Sequence, residues 1–416
     1  MIEIDKRNTV LVDGSNNNNK VIYLMTKSFR IKNNYTLSQA IKFSKDNNRV
    51  LMIHMVEPYE DNSRNLDYFY NYSEDLYNKL HQYSDDVKLI KRDFDIKNTL
   101  DDVHTIFIDK SYLKFDIELL YKLKKDALDN NITIIEVEVN VFVPVTITSD
   151  KEEYAARTIR KKINSRLSDF KDEVLNDGDI SVGEKDALDC LQDFIDNKLD
   201  KYDEHNDPSK HLTSNLSPYL KYGFISPVTI YNKMENLKGD NKNDFLEELI
   251  VRRELAYNFV YYNSKYDEFD GMTDKWAYQT MRNHKSDKRD YLYKKEDYIH
   301  FKTHDPYFNA AMKEMIYLGK MHSYMRMYWA KKIIEWSEDY EEAFKITSEL
   351  NNYYFYDGLT PNSYTGVAWC YGKHDRAWFE RDIFGKLRYM NANGLERKFD
   401  IQAYVKEMDN IKGGNE

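Results

Sequence analysis

Cysteine, proline and glycine are all scarce in this chain of 416 residues, with 2, 7 and 14 of each. Two thiols, Cys190 and Cys370, cannot build a disulfide framework, and the spacing of a thiolate metal site is missing, so no metal is expected. So few prolines leave room for long uninterrupted helices. No apolar run reaches the roughly 18 residues of a membrane span. The opening Met1-Ile2-Glu3-Ile4-Asp5-Lys6 lacks the charged-then-apolar order of a secretory leader, and a cytoplasmic protein is expected. Positive charge is short as well: 61 Lys and Arg stand against 71 Asp and Glu, a net charge of -10. That balance excludes wrapping a long duplex through diffuse counter-ion release and requires any nucleic-acid site to be a local basic patch.

Aromatic residues are abundant instead, with 35 Tyr, 20 Phe and 5 Trp. They suit stacking or electron transfer, and equally a codon pool rich in Tyr, Asn, Lys and Ile. Apolar runs rich in Ile and Val at 21–25, 50–55, 105–108 and 132–145 alternate with helical periodicity at 37–43 and 66–80. This alternation predicts βαβ units in a Rossmann-like, doubly wound parallel sheet over residues 1–148. The Asn-rich 14–20 is read as a solvated loop, and 149–183 as an inter-domain linker containing helix. Beyond 184 the strand signal ends, and amphipathic patterns at 186–199, 243–262 and 305–336 predict an all-helical domain over 184–416. Ser217-Pro218 and Ser226-Pro227 each place a capping hydroxyl before a first-turn proline.

Several constellations carry chemistry. His211-Leu212-Thr213-Ser214-Asn215-Leu216-Ser217-Pro218-Tyr219-Leu220 groups hydroxyls and amides at a helix start, where unsatisfied N–H groups favour phosphate. Glu248 and Arg252 sit four apart on one helix face, by themselves only a surface ion pair. Trp329 and Trp336 share a face with about 10 Å of helical rise between them, a spacing that suits core packing or electron hopping. Asn351, Asp357 and Gly358 lie in a turn-forming stretch that ends before Trp369. From Lys373 through Arg376, Arg381, Lys386 and Arg388 to Arg397 and Lys398, cations outnumber the acids among them and alternate with aromatics. This is the local patch the net charge demands.

In order and spacing these segments resemble the photolyase and cryptochrome family, and most closely its class II cyclobutane-pyrimidine-dimer (CPD) branch. The resemblance runs from about Tyr154 to Tyr404 and is carried by the Ser214-Asn215-Leu216-Ser217-Pro218-Tyr219-Leu220 signature, Arg252-Arg253-Glu254-Leu255, and the run from Gly319 to Trp336. It implies a helical FAD-binding domain, an antenna chromophore such as a deazaflavin in the first domain, and UV-damaged DNA as partner of a monomeric enzyme. The implied reaction is light-driven repair of pyrimidine dimers by electron transfer from reduced FAD, with a cryptochrome-like photoreceptor as the alternative. By the same resemblance, Tyr202, Thr213, Ser214, Asn215, Leu216, Ser217, Arg326, Asn351, Asp357 and Gly358 hold the flavin. Glu248, with Glu254 as the alternative, hydrogen-bonds the dimer; Met327 and Trp369 pack on it, and Trp329 and Trp336 re-reduce the flavin. Arg252, Lys386, Arg388 and Arg397 bind DNA, with Arg388 on a loop that enters the gap left by the flipped dimer. Two departures stand out. Phe308 occupies the place of a middle tryptophan, and the stretch from Leu359 to Lys373 differs from the family pattern and is one residue short after Trp369.

Overall fold

The computed structural model describes residues 6–411 except 94 and 175; the segment 1–5, on which the leader reading rests, lies outside them. Alternation of side chains along each strand explains the first half of the chain. In β2 (Lys20–Met25) and β3 (Val50–Val56), Val21, Tyr23, Leu51 and Ile53 bury on one face, whereas Ile22, Leu24 and Met52 bury on the other. A sheet apolar on both sides must be covered on both. Tyr35–Asp46 and Ser63–Leu80 cover the first face through Leu37, Ala40, Phe69 and Leu76, and Lys114–Asp129 covers the second through Leu120, Leu123 and Ala127.

The sheet also contains β1 (Asn8–Val12), β4 (Asp86–Ile90), β5 (Val103–Asp109) and β6 (Thr133–Val137), in the order β1-β6-β5-β2-β3-β4. Five strands are parallel; β1 runs antiparallel to β6. The two strands that sequence periodicity does not reveal, β1 and β4, are the edges, where two of the five positions in each face solvent. The Asn-rich loop is pinned at its centre: Asn16 and Asn18 both donate through Nδ2 to the Val103 carbonyl, at 2.9 and 3.0 Å.

The apolar run 132–145 is not one strand. Pairing stops at Val137, and Val145–Thr148 is a helical turn after Pro144. Residues between them are apolar because the second half of the chain buries them, and their backbone is satisfied by side chains. Phe142 and Val143 donate to Glu254, Asn140 accepts from Arg253, and Phe142 accepts from Arg7. One hydrophobic core is thus shared between the sheet and the helices, joining Tyr23 and Ile53 to Ala187, Ile250 and Leu255. The segment 149–183 carries Ala156–Asn164 and Leu167–Phe170, and it packs down through Ile159, Ile163 and Phe170.

Among the described residues of the remainder, the regular elements are helices, apart from one antiparallel bridge between Arg381 and Gly385. Two sequence expectations are corrected there. The pattern at 305–336 is two helices, Pro306–Leu318 and Ser323–Trp336, because Gly319 takes the left-handed conformation (φ 65°) and ends the first. A Cβ at Gly319 would also stand 2.5 Å from the Tyr356 ring. Ser217 is the first residue of its helix and does not cap it, whereas Ser226 does accept from Val228 N.

Candidate functional site

The helix Ser323–Trp336 is the centre of the site. His322 caps it, accepting from Tyr324 N through Nδ1, and hydrogen-bonds the His205 carbonyl through Nε2 at 2.7 Å. Burial pushes its pKa down to about 4; the ring is neutral, and both contacts are satisfied by the tautomer protonated on Nε2. One turn on, Arg326 donates from Nη2 to both Asp357 oxygens, at 2.9 and 3.1 Å, and from Nε to the Met321 carbonyl. Its guanidinium lies 3.8 Å over the Phe355 ring. Arg326 and Asp357, both read as flavin contacts, thus pair with one another.

Asn351, on the helix Tyr340–Tyr354, is buried and donates through Nδ2 to Ser363 Oγ and Asn352 Oδ1. These bonds fix the amide plane and aim its carbonyl oxygen away from both partners. Gly358 is forced by close approach, since a Cβ would stand 2.6 Å from the Asn352 carbonyl. Leu359 follows with φ 54°, a strained conformation for leucine, and Thr360 then caps the helix Pro361–Cys370. Thr213 and Ser214 are half-buried before the helix Ser217–Tyr222, Asn215 is exposed with φ 57°, and Leu216 is buried. Cys190 donates to the Ser214 carbonyl at 3.2 Å. Tyr202 is buried and stacked on His205, ring centroids 4.2 Å apart.

Three of the residues read as lesion or DNA contacts, Glu248, Arg252 and Trp369, come together on one wall. Residues 240–262 form a continuous helical stretch interrupted by a π-helical turn, Glu247–Arg252. Within it Glu247 is drawn off by Arg160, bidentate at 2.7 and 2.9 Å. Glu248 keeps only a long contact, 3.8 Å to Arg252 Nε, and its side chain remains half-exposed. Neighbouring protein shields it enough to raise the carboxyl above its ordinary pKa, against the pull of Arg252 and His205. Arg252 in turn lies 5.3 Å over the Trp369 indole. Glu254 stands apart: it is buried at the junction with the sheet, accepts from Phe142 and Val143 N, and is pushed up to about 7. Of the two glutamates, only Glu248 is accessible.

Trp329 and Trp336 are both buried. Trp329 donates to Met312 Sδ at 3.0 Å; Trp336 meets Phe308 edge-on at 5.2 Å. Two aromatic neighbours of Trp336 that sequence reading did not single out are Tyr293 (5.5 Å) and His304 (5.1 Å). Their distance in sequence hides them; the Tyr-rich run before His304 is the only signal. Tyr328 is held well above its ordinary pKa by burial and by Asp305, to which it donates at 2.5 Å. Met327 is half-buried on the same helix.

Of the basic patch, Arg388 is not a free cation: it pairs with Asp375 at 3.1 Å and lies 4.5 Å over Trp378. Lys386 is exposed, and Arg397 is exposed on its own helix, where Nε donates to the Asn393 carbonyl. A cavity lies where the halves meet, lined by Thr26, Lys27, Tyr59, Glu60, Lys110 and Lys221. It sits beyond the carboxyl ends of β2, β3 and β5, where the sheet order reverses, the usual ligand crevice of such sheets.

The donor set fits an FAD. Thr213, Ser214 and the following amides suit a diphosphate, and Arg326 with its countercharge and Asn351 suit the polar edge of an isoalloxazine ring.

No protein-family model matches the chain. The fold is similar to a cryptochrome from Synechocystis sp. PCC6803, with a TM-score of 0.75 at 14% identity over 96% of this chain and 91% of that one. It is also similar to an archaeal photolyase from Sulfolobus tokodaii that holds two FAD molecules, with a TM-score of 0.69 at 14% identity over 93% and 89%. The architecture is therefore of the photolyase–cryptochrome class. In sequence, the chain is 38% identical over 430 residues to the deoxyribodipyrimidine photo-lyase of Methanothermobacter thermautotrophicus, covering 94% of each. The chain belongs to the deoxyribodipyrimidine photo-lyase family.

Proposed function

We propose that this chain splits cyclobutane pyrimidine dimers in DNA in a light-driven reaction, as a class II photolyase acting as a monomer in the cytoplasm. The observation that carries the reading is the wall formed by Glu248, Arg252 and Trp369: an accessible carboxyl of raised pKa, a cation and an indole on adjoining helices. Bound FAD, once reduced and excited, supplies an electron that opens the two cyclobutane bonds and returns, with no net redox change.

The chain's own residues do the remainder. A dimer stacks poorly and flips out at reduced cost. Trp369 and Met327 offer it apolar contact, and Glu248 hydrogen-bonds the damaged bases where negative charge develops. Arg252 holds Trp369 in place and contacts the phosphates beside the lesion. Bound FAD would be held at its ring edge by Arg326 and Asp357, with Asn351 toward N5, and at its diphosphate by the Thr213–Ser217 segment, with Tyr202 and Gly358 at the margins. Trp329 and Trp336 carry electrons inward to return the flavin to its reduced form. The cavity between the halves takes an antenna chromophore, a planar molecule such as a deazaflavin.

Illumination of the reduced, FAD-loaded protein with a thymine-dimer oligonucleotide tests the reading. Light-dependent loss of the dimer is expected. Flavin photochemistry and no loss of dimer would instead identify a cryptochrome-like photoreceptor.

A further inference from the structure

Lys331, on the helix Ser323–Trp336, is 1% exposed, and no step of the reaction described above uses it. A buried ammonium is costly unless a carboxylate or hydrogen bonds offset the lost hydration. The next residue, Lys332, has its carboxylate in Glu335 at 2.6 Å. Lys331 forms no such ion pair among the described residues; its Nζ donates to a backbone carbonyl, that of Cys370, at 2.5 Å.

Cys370 is the last residue of the helix Pro361–Cys370, and the residue before it is Trp369 of the lesion wall. The final carbonyls of an α-helix have no partner within it and must find one outside. Here Tyr371 N and Lys373 N donate to the Ala368 carbonyl, Gly372 N donates to that of Trp369, and Lys331 supplies the donor for Cys370. Its charge stands at the negative end of the helix dipole, where a cation stabilises the terminal turn. The groups that act on Lys331 come from this helix end and the segment after it: the Cys370 thiol, Asp375 and Arg388. The helices Pro306–Leu318 and Tyr340–Tyr354, which also pack on Ser323–Trp336, add no charged group to that set. Burial pushes the Cys370 thiol up, which keeps it neutral. Asp375 is already engaged, accepting from Arg388, Trp378 Nε1 and Arg376 N. The ammonium is left largely uncompensated, and burial pulls its pKa down to about 8.

We propose that Lys331 is a positioning residue whose ammonium clamps the last turn of the helix Pro361–Cys370 and so fixes the Trp369 indole on which the lesion packs. The part played by the lesion rests on the repair reading above. Deprotonation leaves the bond from Nζ to the Cys370 carbonyl in place but takes away its charge, and a charge-assisted bond is roughly twice as strong as a neutral one. The turn loosens, and the indole gains freedom that lesion binding must then remove. Stability moves the other way. Between about 8 and 10.5, the ordinary value of a lysine, the unfolded chain holds a proton that the folded chain has released, so the contribution of Lys331 to the fold rises with pH through that window. A residue that served the fold alone would not weaken lesion binding there.

The test uses FAD-loaded protein in the dark, with fluorotryptophan at its five tryptophans and the Trp369 resonance assigned through Trp369→Phe. As pH rises through about 8, the fluorine resonance of Trp369 is expected to shift, and Kd for a thymine-dimer duplex to rise up to about fivefold relative to undamaged duplex. In Lys331→Gln, which keeps a donor and lacks the charge, both readouts are expected to be flat over the same range. The wild-type titration stands even where that variant does not fold. A Trp369 resonance that stays fixed through this range, one that titrates equally in Lys331→Gln, or a lesion preference that does not change along with it overturns the positioning role. A resonance that titrates in a protein with no preference for dimer-containing duplex at any pH supports the clamp and sinks the repair reading alone.

Discussion

The guanidinium of Arg252 lies 5.3 Å over the Trp369 indole while its Nε stays 3.8 Å from Glu248. One side chain thus links a carboxyl on the π-helical turn to an aromatic ring on another helix. If this is the lesion wall, Arg252→Ala lets Trp369 relax and weakens dimer binding by about 1 kcal/mol, a factor near five, from the lost cation–π contact. Titration of the protein against lesion and undamaged oligonucleotides checks it, and a larger loss on lesion DNA than on undamaged DNA is expected. Glu248→Ala has a different signature: FAD content is retained, and repair per absorbed photon falls.

Asp357→Asn removes the countercharge of Arg326 from a part-buried site. The cation loses a pair of charge-assisted bonds that contribute about 2 kcal/mol. FAD retention after gel filtration, read from the flavin-to-protein absorbance ratio, is expected to fall, and Asp357→Glu to recover part of it.

Phe308 lies 5.2 Å from Trp336, and phenylalanine is hard to oxidise. Phe308→Trp keeps an aromatic ring in the contact and adds an easily oxidised indole. Flavin photoreduction under blue light with a thiol reductant is expected to speed up, and Trp336→Phe to slow it. Equal rates in all three proteins would show that electrons enter without this cluster.

Glu254 predicts how stability depends on pH. Its carboxyl titrates at about 7 in the fold, against 4.5 ordinarily, because burial disfavours the charged form. Between those values the folded state holds a proton that the unfolded chain has released. The contribution of Glu254 is therefore fully present below about pH 4.5 and is lost as pH rises through about 7. Glu254→Gln cannot ionise, so the urea midpoint of the variant relative to wild type is expected to climb from pH 5 to pH 8. The climb approaches at most about 3 kcal/mol. A constant offset from the changed acceptor leaves this slope intact; a flat difference would place the titration elsewhere.

Legibility in the sequence followed burial. Central strands β2, β3 and β5, apolar on both faces, are plain as Ile- and Val-rich runs, whereas the edges β1 and β4 are half polar and escape notice. The stretch 138–145 misleads for the same reason in reverse: it is apolar because a second body covers it, and nothing local says that Glu254 and Arg253 replace a neighbouring strand as bonding partners. Gly319 is one residue in a long periodic pattern, and periodicity alone runs through it. At the site, Arg326 and Asp357 are 31 residues apart, and the fold brings them together. The difference between Glu248 and Glu254 is invisible in sequence because both are glutamates on the same helical stretch, and only the fold decides which one is sealed in.

The π-helical turn at Glu247–Arg252 holds one residue more than an α-helix needs, and such turns are less favourable than the regular form. Deleting one residue there would regularise the helix and is expected to raise its thermal midpoint. It would also swing everything on one side by about 100° relative to the other, parting Glu248 from Trp369. The turn acts as a ratchet: a laboratory search for sturdier versions of this protein will tend to find that deletion, and will lose the lesion wall in doing so.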